Sequence, residues 1–99
     1  MFVSGQLGIH PEKGGLVSAD FAEQARQALQ NIKAILQDNG LDIRRIVQVD
    51  VFVTDLNHFS SFNLLYEEFM AGHKPARAVV EVSRLPLDGL VEIKCTAEA

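Results

Sequence analysis

Residues 45–54, Arg45-Ile46-Val47-Gln48-Val49-Asp50-Val51-Phe52-Val53-Thr54, decide how this chain folds. Their character repeats every second residue, the period of a strand whose side chains point alternately to two faces. Val47, Val49, Val51 and Val53 share one face, and Gln48, Asp50 and Phe52 share the other. β-branched valines suit a pleated, packed surface. The valine face therefore predicts a cover of helices, and the opposite face predicts water or another subunit.

The flanking sequence supplies those helices. Upstream, Phe21, Ala25, Ala28, Leu29, Ile32, Ile35 and Leu36 recur at steps of three and four and make one apolar stripe. Ser18 or Asp20 can cap the start, and Glu23 follows Asp20 at capping-box spacing. Gly40 after Asn39 supplies a left-handed stop. Downstream, Asp55-Leu56-Asn57 reads as a turn into a second helix, His58 to Ala71, with Phe59, Phe62, Tyr66, Phe69 and Met70 on its apolar face. Gly72-His73-Lys74-Pro75 ends it.

Further out, Met1-Phe2-Val3 reads as the end of a strand, followed by Ser4-Gly5-Gln6 and a loop from His10 to Gly15. Two closing strands are expected at Arg77 to Arg84 and Gly89 to Thr96. The Asp88-Gly89 pair between them signals a tight hairpin. The order β-α-β-α-β-β defines an α+β layer, a sheet with two helices packed on one face. The uncovered face asks for a symmetric oligomer.

Bulk properties bound the function. The chain has 99 residues, which make one domain, and is 47% hydrophobic and 22% charged, an ordinary globular balance. Net charge is −4 and only Arg44-Arg45 are adjacent cations, which argues against a nucleic-acid partner. One cysteine, Cys95, cannot form an internal disulfide, so a reducing cytoplasm is the expected location. No apolar run approaches the ~20 residues of a membrane span, and no secretory leader is legible. His10, His58 and His73 lack metal-ligand spacing, so no metal site is expected.

Two charged residues stand inside apolar, strand-like runs. Arg77 follows Pro75-Ala76 at the mouth of Val79-Val80-Glu81-Val82, and Glu92 sits between Val91 and Ile93. A guanidinium is a fixed fork that suits a carboxylate. It could equally lie in a surface ion pair, and period two places Glu81 on its own face, able to neutralise it. Glu92 is either the polar side of an amphipathic strand or, if an interface buries it, a general acid or base acting on water. A hairpin through Asp88-Gly89 would bring it near Glu81. Gly5 permits close backbone approach to a ligand, with the Ser4 hydroxyl beside it. Cys95 shares the Val91/Ile93 face and reads as core, and Tyr66 reads as packing.

These residues lie in stretches that resemble the RidA/YjgF family almost end to end. They are Phe2-Val3-Ser4-Gly5-Gln6, Gln24-Ala25-Arg26, Asn31-Ile32-Lys33-Ala34-Ile35, Val51 to Asn57 with Phe59, and Pro75-Ala76-Arg77. Val80-Glu81-Val82, Arg84-Leu85-Pro86 and Val91-Glu92-Ile93 complete the match. The resemblance implies a chorismate-mutase-like fold assembled as a homotrimeric barrel with clefts between subunits. It also implies hydrolytic deamination of 2-enamines and 2-imines, such as 2-aminoacrylate and 2-iminobutanoate, to 2-keto acids and ammonia, without a cofactor. Arg77 matches the arginine that clamps the substrate carboxylate, and Glu92 the glutamate that orients or activates water. Ser4 and Gly5 match cleft-lining positions. Val79 stands where the family often has cysteine, so only a backbone contact carries over. Family members usually carry an upstream hairpin segment containing Gly-Pro-Tyr, which does not stand before Met1: either the start is assigned late or the form is shortened, and a shortened form is expected to have weaker activity and an altered assembly. A non-catalytic trimeric binder of small carboxylates is the alternative. An endoribonuclease, an activity attributed to some relatives, fits the acidic balance least.

Overall fold

The computed structural model describes residues 1–99. The chain runs β1 (Phe2–Leu7), α1 (Phe21–Asp38), β2 (Ile46–Val53), α2 (Phe59–Met70), β3 (Ala76–Glu81) and β4 (Val91–Ala97), with 3-10 turns at Ile43–Arg45, Leu56–His58 and Pro86–Asp88. The element order matches the sequence reading. Helix α1 starts where Asp20 caps it, accepting from the Glu23 backbone N–H at 3.0 Å. Beyond its end Gly40 takes φ +74°, a conformation that favours glycine.

The four strands form one sheet in the order β1-β4-β2-β3. β4 is antiparallel to both β1 and β2, and β3 is parallel to β2. A parallel pair needs a crossover, and α2 supplies it. This overturns the expected closing hairpin: β2 lies between β3 and β4. The segment after β3 passes the C-terminal end of β2, where Val53 faces both Glu81 and Val91. Leu87 and Asp88, not Gly89, hold the left-handed turn, with φ 60° and 56°. Glu92 consequently pairs with Phe52 rather than with Glu81.

One sheet face meets the helices, as the valine pattern required. Val49, Val51, Val53, Val91, Ile93 and Cys95 pack there against Ala25, Ala28, Ile32, Leu36, Phe62 and Tyr66. One valine does not take part. Val47 is 45% exposed while Ile46 is 2% exposed. The β2–β4 ladder shifts register between Ile46 and Gln48, and this bulge exchanges the two residues between faces. β1 likewise continues through Leu7 instead of ending at Val3, with a bulge between Val3 and Gln6 that holds Ser4 and Gly5.

Gln24 is the buried polar side chain of the core, 1% exposed. Its Nε2 donates to Ser18 O at 2.9 Å, and its Oε1 accepts from Leu90 N at 2.8 Å, tying the start of α1 to the start of β4. On the other sheet face, Gln48, Asp50 and Phe52 lie opposite Thr96, Lys94 and Glu92. No element of the chain covers that face.

Candidate functional site

β3 is an edge strand, and its register with β2 sets the direction of Arg77. Arg77 pairs with Val49, a core residue, so its side chain leaves the sheet on the helix side and meets α2. Phe59, Asn63 and Tyr66 stand there at steps of four and three along one stripe of α2. Arg77 Nη1 donates to Asn63 Oδ1 at 2.7 Å. Its Cζ lies 4.7 Å from the Tyr66 ring centroid and 5.7 Å from that of Phe59. Aromatic faces attract a guanidinium and limit how it can tilt.

No carboxylate neutralises this cation. The chain's one ion pair joins Arg84 to Asp88. Glu81, the expected rival, instead accepts from the Leu56 backbone N–H at 3.0 Å. Asn63 is the single hydrogen-bond partner of Arg77, whose side chain is exposed, so the remaining N–H groups are open to a ligand. A fork positioned by an amide and two rings, with donors to spare, has the chemistry to receive a carboxylate. Val79 pairs with Val51 and packs against the core, which leaves its backbone at the outer edge.

A second group forms at the other end of the sheet. Glu92 is half-buried on the uncovered face of β4, beside the bulge of β1. A Cβ built on Gly5 would lie 2.8 Å from Glu92 Cδ, so the carboxylate occupies space that glycine leaves free. Ser4 precedes it on the exposed surface. Ser4, Gly5 and Glu92 thus come together, as do Arg77 and Val79. The two groups do not meet within one chain, because Arg77 and Glu92 project from opposite faces with β2 between their strands.

The sequence reading missed Asn63 and the role of Tyr66. The signal was their spacing, which aligns both with Phe59 beside the edge where a strand arginine emerges. Tyr66 is packing, as expected, but its ring also carries the guanidinium. Burial raises its phenol pKa, and Arg77 partly opposes the shift. The Tyr66 hydroxyl is buried without a hydrogen-bond partner. Cys95 is core, and burial pushes its thiol up to about 11. The histidines have structural contacts. His10 Nδ1 accepts from the Glu12 and Lys13 backbone N–H groups, His58 stacks on Phe21 at 4.2 Å, and His73 Nε2 donates to Ile46 O at 2.8 Å.

A four-stranded mixed sheet with two helices on one face defines a known class of small α+β proteins. The family described as Endoribonuclease L-PSP matches residues 1–99. The chain is 48% identical over 100 residues to a 2-iminobutanoate/2-iminopropanoate deaminase of Escherichia coli strain K12, covering 98% of this chain and 77% of that protein. It is 45% identical over 97 residues to a RutC family protein of Pyrococcus abyssi, covering 98% of this chain and 76% of that one. Among solved structures, the YjgF gene product of E. coli superposes with a TM-score of 0.91 at 46% identity, over 97% of this chain and 77% of that one. E. coli TdcF with bound serine gives a TM-score of 0.91 at 39% identity, over 99% and 80%. The chain belongs to the endoribonuclease L-PSP family, which includes the RidA/YjgF proteins. No helix is long and apolar enough to cross a membrane.

Proposed function

We propose that this protein hydrolyses reactive 2-enamines and 2-imines derived from amino acids, 2-aminoacrylate and 2-iminobutanoate among them, to 2-keto acids and ammonia. The observation that carries the reading is Arg77, a guanidinium seated on Asn63 and Tyr66 with no acidic partner of its own. A 2-imino acid brings the missing carboxylate. The relative named 2-iminobutanoate/2-iminopropanoate deaminase supports the same substrate class.

In this reading Arg77 takes the carboxylate through its free N–H groups and fixes the position of C2. Glu92 accepts a proton from water as the water oxygen bonds to C2 and the C=N π pair moves to nitrogen. Glu92 returns that proton to nitrogen and then passes the new hydroxyl's proton to it as well, so nitrogen becomes a neutral ammonia leaving group and the C–N bond breaks. An oxygen lone pair closes the keto group, and ammonia leaves. An enamine first gains a proton at its terminal carbon and becomes the imine. Imine plus water balances keto acid plus ammonia without an oxidant or group carrier. The step is intrinsically easy, so positioning and one acid/base group suffice.

Because Arg77 and Glu92 project from opposite sheet faces, the working site takes two chains. Arg77, Asn63 and the Val79 backbone come from one protomer, and Ser4, Gly5 and Glu92 from its neighbour, in the homotrimer that the family resemblance implies. The uncovered sheet face, with exposed Phe2 and Val80, supports an assembly that buries it. A second reading, a binder of small carboxylates without turnover, draws on the same separation: one chain alone presents the clamp but not the acid. The neighbour solved with bound serine favours small-molecule binding in either case.

The test is ammonia release from enzymatically generated 2-iminobutanoate. The purified protein is expected to accelerate it and Arg77→Ala to abolish the acceleration. Binding of a 2-keto acid without acceleration selects the second reading; 2-keto acid binding and any acceleration that both survive Arg77→Ala overturn both.

A further inference from the structure

Beside Arg77, the C-terminal half of α2 and the segment leading into β3 enclose a cleft of about 540 Å³. Tyr66, Met70, His73, Lys74, Pro75 and Arg77 form most of its wall. That volume falls within the range of small-molecule sites, ~300–1,000 Å³, and exceeds what a three- or four-carbon imino acid fills. We propose that this cleft is a subsite for the distal carboxylate of a dicarboxylic 2-imino or 2-keto acid whose first carboxylate is held by Arg77. The proposal rests on the reading of Arg77 as a carboxylate clamp and extends it to substrate class.

The argument is one of complementary chemistry. Arg77 and Lys74 both line the cleft, and neither has an ion-pair partner. Met70 and Pro75 supply apolar surface in the same wall. Two unpaired cations and apolar surface in one wall match a ligand with two acid groups joined by methylenes. Glu67, also in the wall, is the one acidic group that opposes this, and it too lacks an ion pair. The third basic side chain, His73, is fixed in orientation because its Nε2 donates to Ile46 O at 2.8 Å. Tyr66, whose ring carries the Arg77 guanidinium, brings the chain's one buried side-chain polar atom without a partner. A monocarboxylate engages Arg77 alone and leaves Lys74 unused.

The experiment is titration calorimetry of wild type, Lys74→Ala and Arg77→Ala with 2-ketobutyrate and 2-ketoglutarate. Wild type is expected to bind the diacid roughly threefold tighter than the monoacid, the scale of one partly exposed charge pair. Lys74→Ala should erase that preference while leaving the 2-ketobutyrate Kd unchanged. Arg77→Ala should weaken both acids at least about tenfold, as expected for a hydrogen-bonded charge partner. Equal wild-type affinities, or a Lys74→Ala change that affects both acids alike, overturn the subsite and leave the clamp standing. Binding unaffected by Arg77→Ala overturns the clamp and the subsite with it.

Discussion

The carboxylate of Glu92 fills the space that a side chain on residue 5 would need: a Cβ on Gly5 would stand 2.8 Å from Glu92 Cδ and 2.9 Å from Oε2. The bulge in β1 thus works as a seat for the acid. Gly5→Ala is expected to push Glu92 aside. The obstructing atoms are the free end of a flexible side chain, so the fold should tolerate the change. Imine turnover should fall on the order of tenfold, the scale of a misplaced acid/base group, with little shift in Tm. Unchanged turnover would separate Glu92 from the chemistry.

Arg77 and Tyr66 divide a different pair of effects. Tyr66→Phe keeps the ring under the guanidinium and removes a buried hydroxyl that has no partner. Stability should rise by about 1 kcal/mol in chemical denaturation, because an unsatisfied buried group no longer has to be desolvated. Turnover of the monocarboxylic imine should hold. Tyr66→Leu removes the ring and should raise KM about threefold while kcat changes less, the scale of one cation–π contact.

Gln24 closes two backbone groups at once, Ser18 O and Leu90 N. Gln24→Leu retains volume but leaves both without a side-chain partner. A loss of about 2–3 kcal/mol is expected from denaturant unfolding, with no direct effect on a site that Gln24 does not touch. A loss below ~0.5 kcal/mol would show that water replaces both bonds.

Cys95 gives the stability a pH signature. Burial raises its thiol from an ordinary 9.0 to about 11. The folded chain then holds this proton more tightly than the unfolded chain. The contribution is complete below pH 9 and is lost as pH rises toward 11. Cys95→Val should flatten that part of the stability profile between pH 9 and 11. Parallel profiles for wild type and variant would contradict the assignment.

Much of this was legible from local pattern. The stripe from Phe21 to Leu36 and the alternation in residues 46–53 named both helix-facing surfaces, because period and capping are local properties. Val47 escaped the pattern because one inserted residue reverses a face, and the bulge depends on pairing with β4. The β3–β4 hairpin failed for a related reason. The turn chemistry at Leu87-Asp88-Gly89 is real, but a turn does not say which strand comes to lie alongside. Arg77 and Glu92 were readable as charges in apolar strands. Their placement on opposite faces was not, since it follows from the parallel β2–β3 register. Asn63 was hidden because an asparagine within a helix has many uses, and only the arginine facing it gives it one.

The account turns on Arg77 of one protomer and Glu92 of its neighbour forming one site. Arg77→Ala and Glu92→Gln should each be inactive alone in ammonia release from 2-iminobutanoate. Co-refolded in equal amounts, they should recover about a quarter of wild-type activity, because random cyclic assembly gives that share of sites both intact residues. No recovery from a mixture that assembles normally would contradict the shared site.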